Sequence, residues 1–170
     1  MPHSENKIDW CLKKAKKELE RGDRHRGLIK IDPEKKLIEA HIKKAEHNLY
    51  AIADFKKSGY SDWSASAAFY SVYHCFLAII TKFGYESRNQ ECTFALIYDL
   101  IEKNRINLDK KLVEEVHFLK PEEKLEFPTI VEIREAEQYG VQLSLEGETF
   151  DRLLKTAKTI WDKTKEILEE

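Results

Sequence analysis

The stretch from residue 63 to 92, WSASAAFYSVYHCFLAIITKFGYESRNQEC, limits the fold of this chain more than any other. As far as Phe83 it reads as one helix that is apolar on nearly every face, ended by Gly84 and followed by a polar turn. A helix on the surface of a globular protein carries one apolar stripe, whereas a helix that is apolar all round must be enclosed by others. Ala65, Ser66, Ala67, Ala68 and Ser71 are small enough to let neighbouring backbones come close. Phe69, Tyr70, Tyr73, Phe76 and Phe83 are large enough to fill the gaps between them. The sequence therefore predicts a central rod over residues 61–83, enclosed by the rest of the chain.

The remaining periodicity is helical as well. A first helix is predicted over about residues 5–21, with Ile8, Cys11, Leu12, Ala15 and Leu19 on one side. RGDRHRG (21–27) breaks it, and residues 28–31 form a short extended piece. Asp32-Pro33 signals a new start, a capping side chain followed by proline at the first helical position. That second helix reaches about residue 57, where Ser58-Gly59 closes it, and Ser61 is the expected cap of the central rod. Further helices are predicted over residues 90–103 and from Asn107 or Asp109 to 119. A charged loop follows at 120–127, then a short helix at 129–139 and a strongly periodic last helix from near Thr149 to 168. With 6 Gly, 4 Pro and almost no β-branched alternation, strands are not supported. The expected fold class is all-α: an antiparallel up-and-down bundle of four to five core helices with an extra N-terminal helix. Residues 1–31 would form a basic helix and arm, and residues 32–170 the bundle.

Composition adds limits. The longest unbroken apolar run, residues 75–80, is well short of the roughly 20 residues a bilayer span needs, so no membrane partner is expected. The opening MPHSENKIDW shows no signal-peptide pattern, which points to a cytoplasmic protein. Three cysteines, Cys11, Cys75 and Cys92, show neither a CxxC nor a zinc spacing, and their odd number argues against a disulfide scaffold. Reduced thiols are therefore expected. Residues 1–44 carry 13 Lys/Arg against 8 Asp/Glu, and the remainder 16 against 23. A basic arm on an acidic body suits a nucleic acid, or an acidic surface on itself or a partner; a solvated helix face gives the same pattern.

Chemistry-bearing patterns are sparse. Glu114-x-x-His117 is the only Glu-x-x-His pair in the chain and sits in a charged turn, so no metal is expected. Phosphate-cradling and nucleophile-elbow motifs are absent, and no cofactor is expected. Cys75 lies within the apolar helix, where a buried thiol is the natural reading. His74, one turn after Tyr70, reads as a buried imidazole satisfied by a hydroxyl or carbonyl, with acid/base chemistry as the alternative. The turn ESRNQEC places Arg88, Asn89 and Gln90 at a helix N-terminus, where backbone N–H groups and the helix dipole favour an anion such as phosphate. The alternative is a capped loop in which Arg88 pairs with Glu86 or Glu91.

Four segments, in this order and spacing, resemble the HEPN family (higher eukaryotes and prokaryotes nucleotide-binding domain), nearest its small stand-alone prokaryotic branch. They are AHIKKAEHNLYAIADFKKSGYSDWSASAAFYSVYHCFLAI, GYESRNQECTFAL, REAEQYG and the amphipathic final helix, together covering about residues 37–168. The stretch RGLIKIDPEKKLIEA is similar to the lead-in of that branch. The resemblance implies a helical bundle that forms a homodimer. It also implies a nucleotide or RNA ligand, a minimal nucleotidyltransferase as partner, and a toxin–antitoxin or RNA-processing setting.

The resemblance further implies a metal-free ribonuclease motif, an Arg followed after a short spacer by His. Two copies would face each other across a dimer cleft, Arg steadying the phosphate and His moving protons. Here the matching segment is Arg134-Glu-Ala-Glu-Gln-Tyr139, with Tyr in the place of His. A phenol with an ordinary pKa of about 10 accepts a proton poorly at neutral pH, unlike imidazole at about 6.5. Arg134, Tyr139 and His74 are therefore the candidates for any residual catalysis, and Arg88, Asn89, Gln90 and Arg134 for nucleotide or phosphate binding. An active ribonuclease toxin and a helical scaffold without ligand are the alternative functions.

Overall fold

The computed structural model describes residues 3–119 and 126–170. The helices are α1 (His3–Glu20), α2 (Lys35–Lys57), α3 (Ser64–Lys82), α4 (Gln90–Glu102), α5 (Lys110–Val116), α6 (Ile130–Tyr139) and α7 (Gly147–Glu169). A 3₁₀ turn, Ser61–Trp63, leads into α3, and two three-residue strands, β1 (Leu28–Lys30) and β2 (Tyr85–Ser87), complete the structure. The fold is all-α apart from this ribbon. Of the charged loop expected over 120–127, residues 120–125 lie outside the described residues.

α3 is the central rod. Thirteen of its 19 residues are buried, and it packs against α2, α4, α6, α7 and β2. Its small residues work as the sequence suggests. Ala65 and Ala68 are fully buried, and the hydroxyls of Ser64 and Ser71 donate to the Ile52 and Ala45 carbonyls at 2.7 and 2.9 Å. These two bonds advance along α3 as they retreat along α2, so the helices are antiparallel, and both buried hydroxyls are satisfied. The aromatic filling is equally direct: the Phe76 ring meets the Phe94 ring of α4 edge-to-face, centroids 5.4 Å apart. Apart from the terminal Lys82, only a strip of α3 running through Ser66, Tyr70, Tyr73, His74 and Leu77 remains wholly or partly open.

Several sequence expectations need correction. Ser61 does not cap α3; it opens the 3₁₀ turn, and its hydroxyl accepts the backbone N–H of Leu145 at 2.9 Å. α2 begins at Lys35 with no side-chain cap, so Asp32-Pro33 stays outside the helix in the chain that leaves β1. Strands, which the residue pattern does not support, do form: β1 and β2 pair antiparallel with Leu28 opposite Ser87, Ile29 opposite Glu86 and Lys30 opposite Tyr85. Three residues per strand are too few to show alternation, and the partners lie far apart in sequence. The ribbon continues through Ile31 N–H to the Gly84 carbonyl and Arg88 N–H to the Gly27 carbonyl. Two glycines make this approach feasible. Gly84 has φ +83°, and a Cβ on Gly27 would sit 2.3 Å from the Cys11 carbonyl oxygen.

The expectation of reduced thiols is also overturned. Cys11 of α1 and Cys92 of α4 are joined in a disulfide, leaving Cys75 as a buried free thiol whose pKa burial pushes up to about 12. Residues of α1 and β1 accordingly enter the same core as the bundle, through Ile8, Cys11 and Leu28. The absence of a membrane-length segment is corrected too. Ser61–Lys82 is long and apolar enough to cross a bilayer by length and composition, and 72% of its apolar window is buried within the bundle.

Candidate functional site

Arg134 lies on the second turn of α6, which begins with a complete capping box: Thr129 accepts from the Glu132 N–H while Glu132 accepts from the Thr129 N–H. The helix packs against α3 and the 3₁₀ turn. The Arg134 guanidinium carbon stands 4.1 Å from the centroid of Phe69 and 5.9 Å from that of Tyr70. A cation over aromatic faces is held without a carboxylate. Among the described residues its Nε is buried and has no hydrogen-bond partner, and the same is true of Oε2 of Glu137 one turn on. Burial, with the Asp62 carboxylate second, raises the Glu137 pKa. Tyr139, the residue standing where the family motif has His, is 81% exposed. It makes no hydrogen bond to Arg134 among the described residues, so the two are not a bonded pair.

His74 is met by a residue the sequence reading passed over. His41 reaches from α2 to place its Nδ1 3.1 Å from Nδ1 of His74, ring centroids 5.3 Å apart. Desolvation, then the charges of His41 and Lys44, pushes His74 down to about 4, and desolvation lowers His41 as well. Both rings are uncharged at neutral pH. Tyr73 stands edge-on to His74 and stacks on Phe69, centroids 5.6 Å apart, so His74 and Arg134 flank one strip of aromatics on α3. His41 and His74 were not paired by sequence because they are 33 residues apart on different helices. Only the α2–α3 register, set by Ser64 and Ser71, brings them level.

The pH consequence has a definite sign. Unfolded, each imidazole titrates near 6.5; folded, His74 holds its proton only near 4, so between these values the unfolded chain binds more protons. This contribution to stability is complete above about pH 6.5 and is lost as the pH falls toward 4. NMR titration is expected to show the His74 ring protonating near pH 4, and His74→Gln to flatten the acid limb of the stability curve. An ordinary titration near 6.5 would contradict the burial described here.

The polar turn adopts the capped arrangement. Asn89 accepts the Cys92 N–H at 3.1 Å as the N-cap of α4, Gln90 is the first residue of that helix, and Arg88 Nε pairs with Glu86 at 2.9 Å. Glu86 also takes Nε2 of the buried His25 at 2.8 Å. His117 pairs with Glu91 at 2.7 Å, and that bond is the main reason the Glu91 pKa is lowered. Arg88, Asn89 and Gln90 thus lie at the β2–α4 corner, and no hydrogen bond or ion pair among the described residues joins them to Arg134. A separate cavity of about 430 Å³, lined by Glu114, Glu115, Ile133, Arg152 and Thr156 among others, includes none of the predicted site residues. Among the described residues no group of three or more His, Cys, Asp or Glu side chains is placed to hold a metal ion.

Comparison with known proteins finds no matching family model. No curated protein matches the chain either.

Proposed function

We propose that the protein is a HEPN-like helical module that forms a homodimer and binds a nucleotide, an RNA or a nucleotidyltransferase partner. In this reading it does not cut RNA by the family's Arg–His mechanism, and it works in a toxin–antitoxin or RNA-related setting. One observation carries the reading: the open apolar end around Arg134. Trp63 of the 3₁₀ turn, Tyr70 of α3, and Tyr139, Val141 and Leu143 at and beyond the end of α6 are 55, 47, 81, 93 and 80% exposed. The Leu145–Ser61 hydrogen bond draws the chain after α6 onto the 3₁₀ turn, so these residues border one end of the bundle. Large exposed apolar patches mark interaction surfaces, and an arginine among aromatics is suited to stacking on bases or to a protein interface.

Sedimentation of the full chain at micromolar concentration is expected to show a dimer that Trp63→Asp turns into a monomer. RNA binding is expected to weaken with salt and to fall in Arg134→Ala. Monomeric wild type that retains no RNA or nucleotide would sink the proposal.

The second reading, an active ribonuclease, draws on one feature, the uncharged His74 held by His41 on the strip that Arg134 overlies. It requires RNA decay that disappears in both Arg134→Ala and His74→Gln. Equal decay with wild type and variants removes it.

A further inference from the structure

His41 and His74 belong to helices that cannot slide past one another. The Ser71–Ala45 bond, 2.9 Å long, lies about a turn from each histidine, and Ala45 of α2 and Ala65 and Ala68 of α3 are fully buried. The 3.1 Å between the two Nδ1 atoms is therefore built into the bundle. Two imidazole nitrogens bound to one ion at about 2.0–2.1 Å, at right angles, lie about 3 Å apart. A tetrahedral ion would spread them further. Both rings are only partly buried, leaving a route to solvent, and neither Nε2 has a protein partner among the described residues. Imidazole is a ligand for copper, nickel and zinc, and right-angled geometry favours copper(II) or nickel(II).

We infer that His41 and His74 form a two-histidine site for a divalent transition-metal ion, Cu²⁺ or Ni²⁺ ahead of Zn²⁺, with water filling the remaining positions. The inference does not rest on the proposed function, although His74 shares its strip of α3 with the aromatics beneath Arg134. Among the described residues no carboxylate bonds to either ring, and the Lys44 charge acts on His74, so the binding is of the modest kind that an unsupported pair of imidazoles gives.

The test is a calorimetric titration of Ni²⁺ into the full-length protein and into His41→Gln, His74→Gln and His47→Gln. His47 is an exposed histidine of α2 and serves as control. One ion per chain is expected, with affinity at least about tenfold weaker in each of the first two variants and unchanged in the third. Saturating Ni²⁺ should raise the Tm of the wild type and leave that of the double variant His41→Gln/His74→Gln where it was. Equal heats in wild type and double variant, or a spacing explained by a shared proton alone with no ion bound, would overturn the inference. Because a misfolded variant would also lose the ion, a second readout uses an intact pair. The electron paramagnetic resonance spectrum of Cu²⁺ bound to the His47→Gln control, in which the pair is intact, is expected to show coupling to two imidazole nitrogens, and coupling to one or none would overturn it as well.

Discussion

Replacing Cys11 and Cys92 together by alanine is expected to lower the free energy of unfolding by about 4.5 kcal/mol, the chain-entropy value for a cross-link of this span. The two residues are 81 apart in sequence and both are fully buried, so the bond restricts nearly half of the unfolded chain. Against a total of about 5–15 kcal/mol for an ordinary domain, that is a large share. Urea denaturation checks it. Wild type should lose a similar amount on reduction, and the alanine pair should be indifferent to reductant. A wild-type midpoint that ignores reductant would contradict the expectation. Thiol alkylation supplies an independent count, because Cys75, buried with its pKa raised to about 12, should react only after unfolding.

The second large effect lies on the central helix. Phe76 is fully buried and meets Phe94 edge-to-face, so Phe76→Ala removes a ring from the closed contact between α3 and α4. A loss of about 3–5 kcal/mol is expected, through transfer and cavity terms together. Tyr70, on the same helix but 47% exposed, gives the contrast. Tyr70→Ala should cost well under 1 kcal/mol, as surface changes do. Equal losses at the two positions would mean that α3 is not enclosed as described.

Much of this architecture is legible from residue pattern alone, for a physical reason. An apolar rod rich in Ala and Ser can exist in water only inside a bundle, and the stripe Phe150, Leu153, Ala157, Ile160, Thr164 on α7 has only one face to bury. The bounds of α4 and α6 follow from local capping by Asn89 and Thr129, which the sequence displays. What was not legible depends on distant pairing. Cys11 and Cys92 carry no spacing signal, β1 and β2 are too short to alternate, and His41 becomes His74's neighbour only through helix register. Asp32-Pro33 shows a local signal losing to tertiary structure: the ribbon keeps the chain extended through Ile31, and α2 starts at Lys35 instead. Of the candidate site, the positions of Arg88, Asn89 and Gln90 could be read as a capped corner, whereas the aromatic seat of Arg134 could not, because Phe69 and Tyr70 are brought beneath it from another helix.

The corner that carries Arg88 is stitched to the leading segment on both sides. Before it, the ribbon runs from Gly84 to Arg88 along residues 27–31; after it, Cys92 is bolted to Cys11. A hinge at this corner is thereby excluded while the sulfurs stay joined. Any movement of the backbone at Arg88 must carry residues 27–31 and α1 with it, so this leading segment is a lever on this end of the bundle and not a free tether.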